Sequence, residues 1–291
     1  MKIINVIVQN YIIIKVDCNR RVTMRIYDRD YNKLTEDETM EWNAIKQKEI
    51  IKSNKNFNIR KSMFREYPKA VRHYLSLFPN NYLDIEDLKK ERLLKGIVTD
   101  FYNLLNNENT IESDITKFIK DNKAYFIIAS ILKSNYNFGH HNAFIIPEFM
   151  LGNSYKVDYL LIGKNSGGYE FVFVELENPY GKITLKDGSI GETFRKGIKQ
   201  INDWDEWLEA NYISIKETFQ KYKHPNEQLP NEFISLDKTR IHYVVIAGRR
   251  NDFNERTYKE KRRYAEKHKI LLLHYDNLCD SAKSVISKST Y

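Results

Sequence analysis

Val157-Asp158-Tyr159-Leu160-Leu161-Ile162, Lys164-Asn165-Ser166-Gly167-Gly168 and Tyr169-Glu170-Phe171-Val172-Phe173-Val174-Glu175-Leu176-Glu177 decide how the chain is read. Two β-rich runs flank a Gly-rich turn, which is the pattern of a hairpin. With the turn centred between Ser166 and Gly167, Asp158 falls directly across from Glu175, and opposed residues of such a pair lie roughly 5 Å apart. Glu175 and Glu177 are two residues apart and share a face. Three carboxylates therefore converge at one end of an apolar hairpin. Carboxylates crowded this closely resist ionising unless a cation neutralises them. Hard oxygen ligands suit Mg²⁺ or Mn²⁺, which bind one or two carboxylates together with water and substrate phosphate. Asp158, Glu175 and Glu177 read as a metal site. The competing reading is of solvated acids at strand ends, and spacing alone does not separate the two.

The next segment adds cations and an amide. Ser189-Ile190-Gly191-Glu192 has the form of a capping box, and Phe194, Ile198, Ile201 and Leu208 recur at helical spacing. Arg195, Lys196, Lys199 and Gln200 sit on that helix, just after the carboxylates. An acidic hairpin followed by such a helix can hold both a metal and a phosphodiester.

These blocks, with Val174-Glu175-Leu176-Glu177-Asn178-Pro179 and Gln200-Ile201-Asn202-Asp203-Trp204-Asp205-Glu206-Trp207, resemble the nuclease domain of the Shedu immune-nuclease family. That family falls in the PD-(D/E)xK, or restriction-endonuclease-like, superfamily. Upstream, Glu112-Ser113-Asp114-Ile115-Thr116-Lys117-Phe118-Ile119 is similar to the helix that opens the domain, so the likeness covers about residues 107–280. The resemblance implies an α/β fold, a restriction-endonuclease-like mixed sheet flanked by helices. It implies a metal-dependent nuclease acting on DNA phosphodiesters in defence against phage. Double-stranded DNA, free ends included, would be the partner, and the chain would assemble as a homo-oligomer. Asp158 and Glu175 would ligate Mg²⁺, or Mn²⁺. Glu177 would be a third ligand or the base that positions the attacking water. Glu112 would reach the site through the outer shell, and Gln200 would orient substrate or a ligand. The superfamily's third position is most often lysine and here is Glu177, so Lys196 or Lys199 would supply the missing cation. That departure supports an alternative, a DNA-end or DNA-structure sensor whose nuclease fold no longer cuts. A third reading is a scaffold whose acids only cap the sheet.

Farther out, 291 residues fit about two domains. The 42% hydrophobic and 30% charged residues describe an ordinary soluble chain with a substantial core. A net charge of +8 favours an acidic partner, nucleic acid first among them. Cys18 and Cys279 are too few for a disulfide framework and fit a reducing cytoplasm. The apolar run Ile3–Val16 is shorter than the roughly 20 residues a spanning helix needs, and no leader pattern marks it, so no membrane role is expected. It reads instead as strand, as does Val22–Tyr27, with a turn at Gln9-Asn10. Helices are expected over Glu36–Lys52, Tyr67–Leu77 and Asp84–Asn106, the last capped by Asp84. The polar joint Asn106–Asn109 divides an α+β accessory domain, 1–106, from the nuclease-like unit, 107–291. Arg60, Lys61, Arg65, Tyr67, Arg72 and Tyr74 are either nucleic-acid contacts or a solvated face.

Beyond the joint, Glu112–Asn122 reads as an amphipathic helix, and Ala124–Lys133 as helix with a strand alternative at Tyr125–Ile128. His140-His141 read as loop histidines, since no second ligand cluster lies at zinc spacing. Phe144–Met150 is a strand. Ile241–Ala247, Glu255–His268 and Ile270–Tyr275 form a βαβ unit with parallel strands. Its helix is strongly cationic, and Arg249 and Arg250, directly after a core strand, are candidates for phosphate contacts. No Gly-rich phosphate loop followed by Lys-Ser or Lys-Thr is present, so nucleotide triphosphate hydrolysis by that route is not expected.

Overall fold

The computed structural model describes residues 24–52, 58–60, 63 and 66–291. The strand expected over Ile3–Val16, Cys18, Lys61 and Arg65 lie outside the described residues, as does the start of Val22–Tyr27. The described part of that last run, Met24–Tyr27, is irregular rather than strand. In chain order the elements begin with α1 (Glu36–Glu49), β1 (Ile50–Lys52), β2 (Asn58–Arg60), α2 (Lys69–Tyr74), α3 (Glu91–Leu105), α4 (Glu112–Asp121) and α5 (Tyr125–Asn135). They continue with β3 (Asn142–Leu151), β4 (Tyr155–Asn165), β5 (Gly168–Leu176), α6 (Glu192–Tyr222), β6 (Ile241–Ile246), α7 (Glu255–His268), β7 (Ile270–Leu273) and α8 (Tyr275–Val285).

The fold is α/β. One five-stranded sheet runs in the order β3-β4-β5-β6-β7. Its β3-β4-β5 part is antiparallel and its β5-β6-β7 part parallel. The β4–β5 hairpin closes through Asn165 paired with Gly168, so Ser166-Gly167 form a two-residue loop. Asn165 Oδ1 accepts the Gly167 N–H at 2.7 Å, the side-chain turn expected of Asn at this place. The register continues to Tyr159 opposite Val174, where it ends.

Alternating strand residues feed two cores. On one face Leu161, Val172, Val174 and Val244 meet α3, α4, α5 and α8. On the other Leu160, Phe171, Phe173 and Val245 meet α6, whose Phe194, Ile198, Ile201, Trp204 and Leu208 are buried. α5 is helical throughout, and its residues Tyr125–Leu132 are all buried. Burial all round removes the amphipathic signature, which is why periodicity leaves strand open there.

Residues before the joint share these cores. Phe78 and Tyr82 join the α6-side core, and Leu88, Val98, Phe101 and Leu105 the opposite one. Leu83 N–H donates to Ala143 O at 2.9 Å, and Asn81 Nδ2 to Ile145 O at 2.9 Å, so this segment is stitched to β3.

Several expectations are corrected. Asp84 does not cap α3, which starts at Glu91; it is buried, accepts the Glu86 N–H at 2.9 Å and faces His73 at 3.3 Å. Arg72 is buried too, donating to Tyr67 O at 2.5 Å, and Tyr67 itself is buried, so neither is a surface contact. Tyr74 packs edge-on to His224 at 4.6 Å. The helix after the hairpin is capped at Gly191 rather than Ser189. Ser189 instead bonds Asp187 Oδ1 through both N–H and hydroxyl, at 2.9 and 2.7 Å. Gly191 donates to Ile183 O at 2.7 Å, and a side chain there would run into the Lys182 carbonyl. The last strand stops at Leu273, because His274 accepts the Asn277 N–H and starts α8. Among the described residues, no helix is long and apolar enough to cross a membrane.

Candidate active site

The site is built where β5 ends. Glu175 is the penultimate residue of β5 and Glu177 lies just past it, and both are buried, 4% and 1% exposed. Their two-residue spacing sends them to the α6 face, with Phe171 and Phe173. Asp158 sits where β4 breaks its alternation: Val157 joins the α6-side core and Tyr159 the other. Opposite it Glu148 adopts a left-handed backbone, φ 49°, a conformation costly for a residue with a Cβ. Asp158 Oδ2 accepts the Leu176 N–H at 2.8 Å, tying its carboxylate to the strand that carries the two glutamates.

α6 brings the donors. Gln200 Nε2 donates to Glu175 and lies 3.5 Å from Glu177 Oε1. Lys196 Nζ donates to Glu177 Oε2 at 2.9 Å and stands 3.8 Å from Glu112 Oε2. The helix can come this close because residue 197 is glycine. A Cβ there would lie 2.6 Å from Val245 Cγ1 and 3.2 Å from Glu177 Cγ. Glu112 opens α4, and its N–H donates to Asn178 Oδ1 at 3.0 Å. Asn178 thus pins the start of α4 to the turn after Glu177. Tyr275, buried at the start of α8, donates to Glu177 O at 2.6 Å. Glu112, Asp158, Glu175, Glu177, Lys196 and Gln200 are brought together; Lys199 is exposed and makes none of these bonds.

The electrostatics follow from burial and crowding. Burial pushes the Asp158 carboxyl up to about 7; the Leu176 N–H opposes this and the charge of Glu112 adds to it. Burial, then the charges of Asp158 and Glu177, push Glu175 up to about 9. Burial also raises Glu177, against the pull of Lys196. Burial works against the Lys196 ammonium, but its bond to Glu177 prevails and raises it.

Among the described residues, no group of three or more His, Cys, Asp or Glu side chains is arranged to hold a metal ion. Lys196 and Gln200 take oxygens of Glu177 and Glu175. Mg²⁺ does not require a protein cage, and one or two carboxylates suffice when substrate phosphate and water complete its shell. Asp158 and Glu175 are hard oxygen donors close enough for the charge of Asp158 to act on Glu175, and Lys156 and Lys196 oppose their shifts through charge alone. That donor set fits a divalent ion.

A cleft of about 410 Å³ opens beside Asp158 and Glu112, between α4 and the β3–β4 hairpin. Arg249 does not point at it. Its guanidinium holds Asp276 through Nε at 3.1 Å and Nη2 at 2.9 Å, and reaches Leu105 O and, at 3.2 Å, Asn106 Oδ1. It is an internal tie across the joint rather than a phosphate contact. Arg250 pairs with Asp280. His140 and His141 are exposed before β3, their rings 4.6 Å apart edge to face.

A family model described as Shedu protein SduA, C-terminal, matches residues 109–279, more than half of the chain. No curated protein matches.

Proposed function

The chain belongs to the Shedu family, and from that premise we propose that it is a metal-dependent nuclease hydrolysing DNA phosphodiester bonds in anti-phage defence. The observation that carries the reading is the pair Asp158 and Glu175 at the end of the β4–β5 hairpin, both raised by burial, Glu175 further by the charges of Asp158 and Glu177. Carboxylates crowded in this way resist ionising unless a cation is supplied. The mixed sheet, with its acids at the end of a central strand and α6 across them, fits the restriction-endonuclease-like plan.

In this reading Asp158 and Glu175 hold Mg²⁺ or Mn²⁺. The ion supplies Lewis acidity toward the phosphoryl oxygen. Gln200 keeps the Glu175 carboxylate in place. Glu177 is a third ligand or, relieved of Lys196, the base that takes a proton from the attacking water. Lys196 then turns its ammonium to the charge developing on the phosphate, the part otherwise played by a strand lysine. Glu112, linked to Lys196 and anchored by Asn178, positions that lysine. Lys199, outside these bonds, is left with a phosphate contact. Double-stranded DNA with accessible ends is the substrate, the working form is a cytoplasmic homo-oligomer, and residues 1–106 serve control.

A second reading, a DNA sensor that does not cut, is favoured by one observation: Glu177 is already neutralised by Lys196. Incubating the purified chain with linear and circular DNA, in Mg²⁺ or in chelator, separates them. Mg²⁺-dependent cutting supports the nuclease; binding without cutting supports the sensor.

A further inference from the structure

The cleft beside Asp158 has one wall with a free row of cations. Ser113, Thr116, Lys117 and Lys120 of α4 line it, and across it stands Lys156. The spacing 113, 116, 117, 120 is one face of a helix. The opposite face, Ile115 and Ile119, is buried in the core, so the row is fixed in direction. Lys117 and Lys120 are exposed, and among the described residues neither forms an ion pair. Lys156 differs, being paired to Glu148 at 2.9 Å. The cleft's other acids are Glu112 and Asp158, which belong to the site, and Asp121 at the far end of α4. Two cations are therefore uncommitted, on a rigid element that starts at the site itself.

Their spacing has a counterpart in nucleic acid. Three helical residues advance about 4.5 Å along the axis. One strand of a duplex carries a phosphate about every 3.4 Å of its axis. From Glu112, Lys117 lies about 7.5 Å along α4 and Lys120 about 12 Å. The geometry points to Lys117 and Lys120, with the Ser113 hydroxyl, as a phosphate-gripping row that sets the DNA strand in register as it leaves Asp158; the Thr116 hydroxyl is already donated to Ser113 O at 3.0 Å. This rests on the nucleic-acid reading of the site, not on its ability to cut. Such contacts position the strand and carry no sequence information.

The test is the salt dependence of binding of a labelled DNA duplex to the full chain in chelator. Each phosphate contact contributes about 0.9 to the slope of log K against log salt, so Lys117→Gln/Lys120→Gln should lower that slope by about 1.8. Lys117→Arg/Lys120→Arg, which keeps the charge, should restore it. Both positions are exposed, so an unchanged thermal transition is expected in each variant. An unchanged slope in the glutamine variant overturns the inference, as does a wild-type chain that does not bind DNA. A wild-type chain that binds but does not cut removes the nuclease reading and leaves this row in place, provided the slope falls.

Discussion

Lys196 donates to Glu177 across 2.9 Å, joining the second turn of α6 to the residue just past β5. The lysine is 58% exposed and the glutamate almost fully buried, so the pair has one end in water and one in the core. The same ammonium stands 3.8 Å from Glu112. A cation placed between the acids of two elements is suited to follow charge as it develops.

Lys196→Met should therefore lower the chemical step more than DNA affinity. An interaction made mainly in the transition state behaves that way, and its loss costs on the order of 10²–10³ in rate. Single-turnover rates and dissociation constants, measured side by side, check this. Lost affinity with an unchanged single-turnover rate would make Lys196 an ordinary phosphate contact.

Without metal, the acids weaken the fold as pH rises. Asp158 and Glu175 are raised in the folded chain, so it binds more protons than the unfolded chain between their ordinary range and their raised values. Stability then falls with pH. The loss begins near pH 4 and runs to about 7 for Asp158 and about 9 for Glu175. Glu175→Gln removes part of it while keeping an oxygen for Gln200, and should stabilise the metal-free chain at pH 8 by on the order of a few kcal/mol. Thermal melts of both proteins in chelator, at pH 5 and pH 8, should show a gap that widens with pH. An equal gap at the two values would contradict the crowding.

Gly197 sets how near α6 can stand. Gly197→Ala forces a methyl to within 2.6 Å of Val245 Cγ1, and overpacking of this kind typically costs about 1–3 kcal/mol. A helix that yields carries Lys196 and Gln200 away from Glu177 and Glu175. A lower melting temperature with weakened cleavage is expected; unchanged cleavage would show that the donors do not need this approach.

Arg249 ties Asp276 of α8 to Leu105 and Asn106 at the end of α3. Arg249→Gln leaves Asp276 short of its bidentate partner, and breaking a largely buried ion pair costs on the order of 3 kcal/mol. The variant should melt lower while the salt dependence of DNA binding stays the same. A reduced salt slope would return Arg249 to the list of phosphate contacts.

The hairpin is legible because a strand's two-residue period and a two-residue turn leave one register, which runs from Asn165 facing Gly168 to Tyr159 facing Val174 and brings Asp158 to the end of β5. The parallel pair β6 and β7 is legible for a similar reason, since a helix between two short apolar runs permits little else. α8 carries the same kind of signal in Leu278, Cys279, Ala282 and Val285, but the preceding apolar run ending at Tyr275 masks where it starts. Contacts between distant residues are not legible. Nothing local links Asn178 to Glu112, 66 residues earlier, or Arg249 to Leu105, 144 residues earlier. The serine of Ser189–Glu192 has the right spacing for a cap, yet the tight approach of Gly191 to Lys182 decides where the helix begins.

The most direct test is cleavage of DNA under single-turnover conditions, in Mg²⁺, by the wild type, Asp158→Asn and Glu175→Gln. All three should keep a cooperative thermal transition, and only the wild type should cut, with its activity lost in chelator. Full activity in either folded variant would contradict the assignment of Asp158 and Glu175 to the metal.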